Sequence, residues 1–208
     1  MLEKTALIIF AREPKDGKTK TRLLKDLDVK TVTQLYKTFL RKTFAIAKGT
    51  PNTEHFIYYA GTGSSIPFLR KYKNSFILRR QIGDNLGIRM HHAFTYCSKQ
   101  KFNKIILIGT DCLTLTTQDI QKAFDKLNRY DCVLGPAKDG GYYLIGLNHP
   151  QKKLFENIPW STDSVLMQTI KQLQSLKKTY SLLRKQEDID TIESLKRYKA
   201  YEKRIQKK

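Results

Sequence analysis

The sequence predicts an α/β fold, a mostly parallel sheet with helices on both faces, in a single domain spanning residues 1–208. Three observations predict it. Short, β-rich apolar runs alternate with longer stretches patterned at helical spacing. The clearest runs, TALIIFA at 5–11 and KIILIG at 104–109, are apolar after their first residue, as strands buried on both faces are. Acidic and glycine-rich segments follow the ends of those runs, where ligands bind in such sheets.

The elements follow in order. Residues 5–11 read as a buried strand, 12–19 as a polar loop with Pro14 and Gly17, and 20–27 as the beginning of a helix. Over 31–48 an apolar stripe recurs at helical spacing through Val32, Leu35, Tyr36, Phe39, Leu40, Phe44 and Ala47. Gly49, Pro51 and Asn52 break it. Strand 54–60 leads to a loop at 61–65, a short helix at 66–72 and a strand at 76–79. Asp84 or Asn85 can cap a helix that aligns Leu86, Met90, Ala93, Phe94 and Cys97. Strand 104–109 follows. Thr116 or Thr117 opens a helix to about Arg129, and strands at 132–135 and 142–147 flank a glycine pair. Residues 161–176 read as helix, 179–183 as extended and 191–205 as helix.

Composition narrows the function. Thirty-nine Lys and Arg against nineteen Asp and Glu give a formal charge of +20. A 40% hydrophobic content is enough for one core and too much for a disordered polyelectrolyte. The longest apolar run, Ala6 to Ala11, falls far short of the roughly 20 residues a membrane helix needs. Cys97, Cys112 and Cys132 are scattered and odd in number, so reduced thiols are expected. With Glu3 where a signal peptide would carry positive charge, the chain reads as cytoplasmic. A polyanion could answer the charge, but Lys outnumbers Arg 28 to 11 and is spread along the chain. That pattern suits a solvated surface better than a nucleic-acid face, which favours clustered Arg. The sequence sets no oligomeric state.

Five segments carry chemistry. Arg12 to Leu23 follows a buried strand; Gly17 lets backbone approach a phosphate, and Lys20 and Arg22 add cations. A charged surface loop is the plain alternative. Asp111, at the end of the 104–109 strand, is placed to hold Mg²⁺ or Mn²⁺ or to cap the next helix. Asp139-Gly140-Gly141 permits a tight turn into a pocket, or a simple hairpin. Trp160 precedes Ser161 or Thr162, either of which can cap a helix; the ring can serve as a hydrophobic staple or stack on a sugar or base. Asp188 and Asp190 alternate onto one side of an extended segment, while Asp190 with Glu193 also spells a capping box.

Together, the stretches IFAREPKDGKTKTRL, QIGDNLGIRM, LIGTDC, VLGPAKDGGYYLIGL, IPWSTDSVLMQT and DIDTIESL resemble a bacterial family. Its members have a glycosyltransferase-A-like, nucleotide-diphospho-sugar-transferase fold and include arsenosugar-biosynthesis-type glycosyltransferases. More distantly the layout resembles nucleotidyltransferases that make molybdenum-cofactor dinucleotides, isoprenoid precursors or the guanylylated lactate of coenzyme F420. The resemblance implies a three-layer, Rossmann-like sheet with one antiparallel strand near 142–147. It implies that Arg12, Gly17, Lys20 and Arg22 meet nucleotide phosphates, with Gln81, Gly83 and Asp84 near base or ribose. Asp111 would hold the metal, with Asp190 as second ligand or its neighbour. Asp139, Gly140, Gly141 and Trp160 would face the acceptor. Two positions depart from the family pattern: Leu113 stands where Pro is usual, and Lys138 where an acid is common.

The expectation is a metal-dependent glycosyltransferase moving a sugar from a nucleoside diphosphate sugar to a small-molecule acceptor. Asp111 with Mg²⁺ or Mn²⁺, Lys20 and Arg22 would steady the diphosphate, and Asp139 would be the base. The runner-up is a nucleotidyltransferase that takes a nucleoside triphosphate (NTP) and releases pyrophosphate. A third reading, a non-catalytic basic module binding nucleic acid, explains the charge but not the acidic and glycine-rich segments at strand ends.

Overall fold

The fold comes from a computed structural model of the chain, described for residues 4–61 and 66–205. Most of the loop expected at 61–65 lies outside the described residues. Seven strands form one sheet: β1 (Thr5–Arg12), β2 (Thr53–Ala60), β3 (Ile77–Arg80), β4 (Lys104–Ile108), β5 (Cys132–Pro136), β6 (Tyr142–Leu147) and β7 (Tyr180–Leu182). Their order is β3-β2-β1-β4-β6-β5-β7. Every pairing is parallel except those of β6, which runs antiparallel to β4 and to β5. The predicted sheet, with its one reversed strand at 142–147, is the one observed.

Alternation along each strand sends neighbours to opposite faces. On one face Leu7, Ile9 and Ala11 of β1 pack with Tyr36, Phe39, Leu40 and Phe44 of α1 (Val29–Lys48) and with Ile120 and Phe124 of α4 (Thr117–Lys126). On the other, Ala6 and Ile8 meet Met90, Phe94 and Cys97 of α3 (Leu86–Lys99) and Leu173 of α5 (Val165–Ser175). Burying one such aromatic or aliphatic side chain contributes roughly 1.5–3 kcal/mol. A short α2 (Ile66–Arg70) precedes β3, and α6 (Ile192–Ile205) returns the chain to the α1 side through Leu195.

Caps decide several boundaries. Asp28 accepts from the Thr31 amide and starts α1 two residues before the predicted bound. Asn85 caps α3 through the Ile88 amide. Thr116 and Asp119 form the reciprocal capping box of α4. Two expectations fail. The helix expected from Lys20 is a single 3₁₀ turn, Thr21–Lys25, because Lys20 itself is left-handed (φ 52°) and α1 follows at once. The helix expected from 161 begins at Val165. Ser161 is left-handed (φ 69°), and Thr162 Oγ1 donates to the Pro159 carbonyl, so neither caps α5. Trp160 therefore sits too far ahead of α5 to be its staple. Among the described residues no helix is long and apolar enough to cross a membrane.

Candidate active site

The strand order changes direction around β1, which has β2 on one side and β4 on the other. A crevice opens at the carboxyl ends of such neighbouring strands. Loop 12–20 leaves β1 there, and Gly109-Thr110-Asp111 leaves β4. Tyr36 of α1 joins the two. Its hydroxyl accepts from the Arg12 amide at 2.9 Å and lies 3.3 Å from Thr110 Oγ1. Burial, then the Asp111 charge, raises the Tyr36 pKa, so its hydroxyl stays protonated.

Lys20 is the centre of the acidic cluster. Its Nζ lies 2.8 Å from Asp111 Oδ1 and 2.8 Å from Asp190 Oδ1, and donates to the Ile189 carbonyl at 2.7 Å. The side chain is 4% exposed. Burial alone would lower its pKa, but Asp111 and Asp190 outweigh that and raise it. Arg22 Nη1 stands 3.8 Å from Asp190 Oδ2 with its side chain 70% exposed.

Asp190 is not the cap of α6. The Thr191 hydroxyl accepts from the Ser194 amide, and Ser194 Oγ in turn accepts from the Asp190 and Thr191 amides. The Asp190 carboxylate is taken up by Lys20 and Arg22 instead. Asp188, in the same segment, is placed differently. Its Oδ1 is buried and accepts no hydrogen bond. Burial, followed by the charges of Asp111 and Asp139, pushes its pKa up to about 7. Sequence had set Asp188 beside Asp190 on one side of a strand-like segment without telling the two apart.

Backbone and buried amides hold these acids in register. The Ile189 amide donates to the Asp111 carbonyl at 2.9 Å, and the Lys138 amide to the Gln186 carbonyl at 2.9 Å. Gln186, 4% exposed, accepts from Thr114 Oγ1 at 2.6 Å and from the Cys112 thiol. Arg184 grips both carboxylate oxygens of Asp119, at 2.9 and 2.7 Å. These residues carried no sequence motif. Cys112 is buried with its pKa pushed up to about 12, first by burial, so it is a packed thiol and no nucleophile.

The remaining predicted residues have the following local contacts. Arg12 ends β1 and is exposed; Gly17 turns with φ 69° beside open space. Gln81 Nε2 donates to the carbonyls of Ala11 and Tyr58, which fixes it as a bracket between β1 and β2. The Gly83 carbonyl accepts from Arg89 Nε at 2.7 Å, and Asp84 is exposed. Asp139 Oδ1 accepts from the Gly141 amide at 3.0 Å. Gly140 is left-handed (φ 87°), and a methyl there would come within 1.9 Å of the Asp163 carbonyl oxygen. Trp160 lies against Gly87, where a methyl would meet the indole at 2.7 Å. Segment 160–163 thus bridges α3 and the Asp139 loop. Lys138 points its ammonium to Glu187, 3.3 Å away, which also binds Arg197.

A divalent cation implied by the family resemblance would need oxygen ligands. Among the described residues no group of three His, Cys, Asp or Glu is arranged to hold one. Two carboxylates answer part of the requirement: half-exposed Asp111, and Asp188, whose buried Oδ1 accepts no hydrogen bond. Mg²⁺ and Mn²⁺ commonly complete such a pair with phosphate and water.

Known proteins share this fold. The family model described as "Uncharacterized protein conserved in bacteria" (DUF2064) matches residues 43–162. No curated protein matches the sequence significantly. Among solved structures, a candidate nucleotide-diphospho-sugar transferase from Desulfovibrio desulfuricans G20 is 27% identical. The match covers 93% of this chain and 85% of that one, with a TM-score of 0.85. A CMP:2-keto-3-deoxy-manno-octonic acid synthetase complexed with CTP shares the fold at 9% identity (TM-score 0.63, 97% and 99% covered). So does Rv0371c of Mycobacterium tuberculosis H37Rv, in complex with manganese, at 13% identity (TM-score 0.56, 95% and 98% covered).

Proposed function

We infer a function from one premise: the chain belongs to the bacterial family DUF2064, described as uncharacterized conserved proteins. It is a transferase that takes a nucleotide-activated donor and uses Mg²⁺ or Mn²⁺. The observation that carries this reading is the Asp111–Asp188 pair, one carboxylate half-exposed and paired with Lys20, the other with a buried oxygen that accepts no hydrogen bond. A buried carboxylate oxygen without a hydrogen bond is costly, and such cost is commonly retained where a site needs it. The reading moves the second metal ligand from Asp190, expected from the sequence, to Asp188.

The donor is a nucleoside diphosphate sugar. The D. desulfuricans relative, named a candidate transferase of that class, supports this choice. Arg12, Lys20 and Arg22 hold the diphosphate, and the backbone at Gly17 approaches it. Gln81 braces the floor beneath the base while Gly83 and Asp84 line the ribose side. An acceptor hydroxyl enters between Asp139 and Trp160 and attacks the sugar carbon. The bond from that carbon to the diphosphate oxygen breaks, the electron pair leaves on phosphate, and Asp139 takes the hydroxyl proton. A bound cation supplies charge neutralisation on the departing diphosphate.

A nucleotidyl reading has its own support. Loop 12–22 carries Arg12, Lys15, Lys18, Lys20 and Arg22, more cations than a diphosphate requires. It would suit a triphosphate that releases pyrophosphate. Phosphorus NMR of the protein with Mg²⁺ separates the two. Nucleoside diphosphate released from sugar nucleotides supports sugar transfer; pyrophosphate released from NTPs supports nucleotidyl transfer. Neither product from either donor set would contradict the transferase reading.

A further inference from the structure

We propose that Lys20 is a plug: its ammonium competes with the divalent cation for Asp111, and leaves that carboxylate for the nucleotide phosphates when the cation binds. The inference rests on reading the crevice as a cation and phosphate site.

The geometry sets up the conflict. An ammonium has three N–H donors. Lys20 has three close oxygen partners, Asp111 Oδ1, Asp190 Oδ1 and the Ile189 carbonyl, all within 2.8 Å. With the side chain 4% exposed, no donor is left to reach a phosphate. Lys20 therefore cannot serve a phosphate and keep all three partners. Asp111 is the partner to lose. Asp190 retains Arg22 as a second cation, and the Ile189 carbonyl belongs to backbone tied to Asp111. The Asp111 charge also acts on Asp188, whose buried Oδ1 accepts no hydrogen bond.

The backbone allows the move. Lys20 is held in the left-handed region (φ 52°, ψ 41°), which costs a residue with a side chain. Its three contacts hold it there, and Gly17, also left-handed (φ 69°), lies three residues upstream as a hinge. Losing the Asp111 contact frees the turn to carry the ammonium outward toward the exposed Arg12 and Arg22.

A plug opposes cation binding in the absence of nucleotide, whereas a passive phosphate ligand does not. Mn²⁺ binding is read by loss of the free-ion EPR signal, without nucleotide and without turnover. Wild-type protein should bind Mn²⁺ weakly. Lys20→Met should bind it at least tenfold more tightly, and a second substitution, Asp188→Asn, should abolish that gain. Lys20→Gln serves equally if the Met variant does not fold. Unchanged or weaker Mn²⁺ binding in both neutral variants overturns the plug. The site reading is tested separately, by whether Mn²⁺ strengthens nucleoside diphosphate binding to the wild type. Its failure there leaves the EPR comparison to judge the plug alone.

Discussion

The Ile189 amide donates to the Asp111 carbonyl at 2.9 Å, joining the two acidic segments through their backbones. Asp111 follows central strand β4, whereas Ile189 lies between two aspartates near the C-terminus. Gln186 fastens the same segment to Thr114 and Cys112. Gln186→Ala would leave the Thr114 hydroxyl and the buried Cys112 thiol without their acceptor. Each such loss costs about 1–3 kcal/mol. The variant should melt lower and bind nucleotide with Mn²⁺ more weakly. Urea denaturation paired with calorimetric titration checks both; an unaltered affinity would detach Gln186 from the site.

Asp188 gives the site a pH dependence of definite sign. Its pKa is about 7 folded against an ordinary 3.8. The folded protein therefore holds this proton more tightly. The stabilisation is complete below about pH 4 and is lost as pH rises through 7. Asp188→Asn removes that loss, so it should stabilise the protein more at pH 8 than at pH 5, while weakening Mn²⁺-dependent binding. Chemical denaturation at the two pH values measures this. Equal effects at both would mean Asp188 is not a buried, late-ionising group.

Arg22 is exposed and 3.8 Å from Asp190, so its ion pair adds little stability. As a phosphate ligand it matters more. Charge-assisted contacts contribute roughly 1.5–3 kcal/mol, or about ten- to a hundredfold in affinity. Arg22→Ala should weaken nucleoside diphosphate binding by that factor and leave nucleoside binding and melting temperature nearly unchanged. Equal losses for both ligands would remove it from the phosphates.

Gly140 is where loop 139–141 touches segment 160–163. Its positive φ and the Asp163 carbonyl leave no room for a methyl. Gly140→Ala should destabilise by more than about 1 kcal/mol. It should also shift the fluorescence of Trp160, the chain's one tryptophan, which sits in the displaced segment. An unmoved emission maximum would show that the two loops are not coupled.

The parallel strands were legible because they are apolar on both faces: Ala6 to Ile9 and Ile105 to Ile108 are fully or almost fully buried. Caps were legible where a hydroxyl, carboxylate or amide side chain preceded a clear stripe, as at Asn85 and Thr116. The α5 start was not, because the turn at Ser161 is set by packing of Gly140 on Asp163, a contact no local pattern encodes. The candidate site was half legible. Asp111, Lys20 and Arg22 announce themselves by their place after strands. Asp188 and Asp190 are separated by one residue, and that Lys20 and Arg22 reach Asp190 while an oxygen of Asp188 is buried without a hydrogen bond is a fact of tertiary geometry. Tyr36 and Gln186 read as an ordinary stripe residue and an ordinary polar residue, and only the fold sets them beside Asp111.

The central claim is that Asp111 and Asp188 bind a divalent cation together with a nucleotide diphosphate. Calorimetric titration of nucleoside diphosphates into wild-type and Asp111→Asn protein, with and without Mn²⁺, tests it most directly. Binding that requires Mn²⁺ in the wild type and falls at least tenfold in Asp111→Asn, at unchanged melting temperature, is the expected result. Equal affinity with and without Mn²⁺, or in wild type and variant, would contradict it.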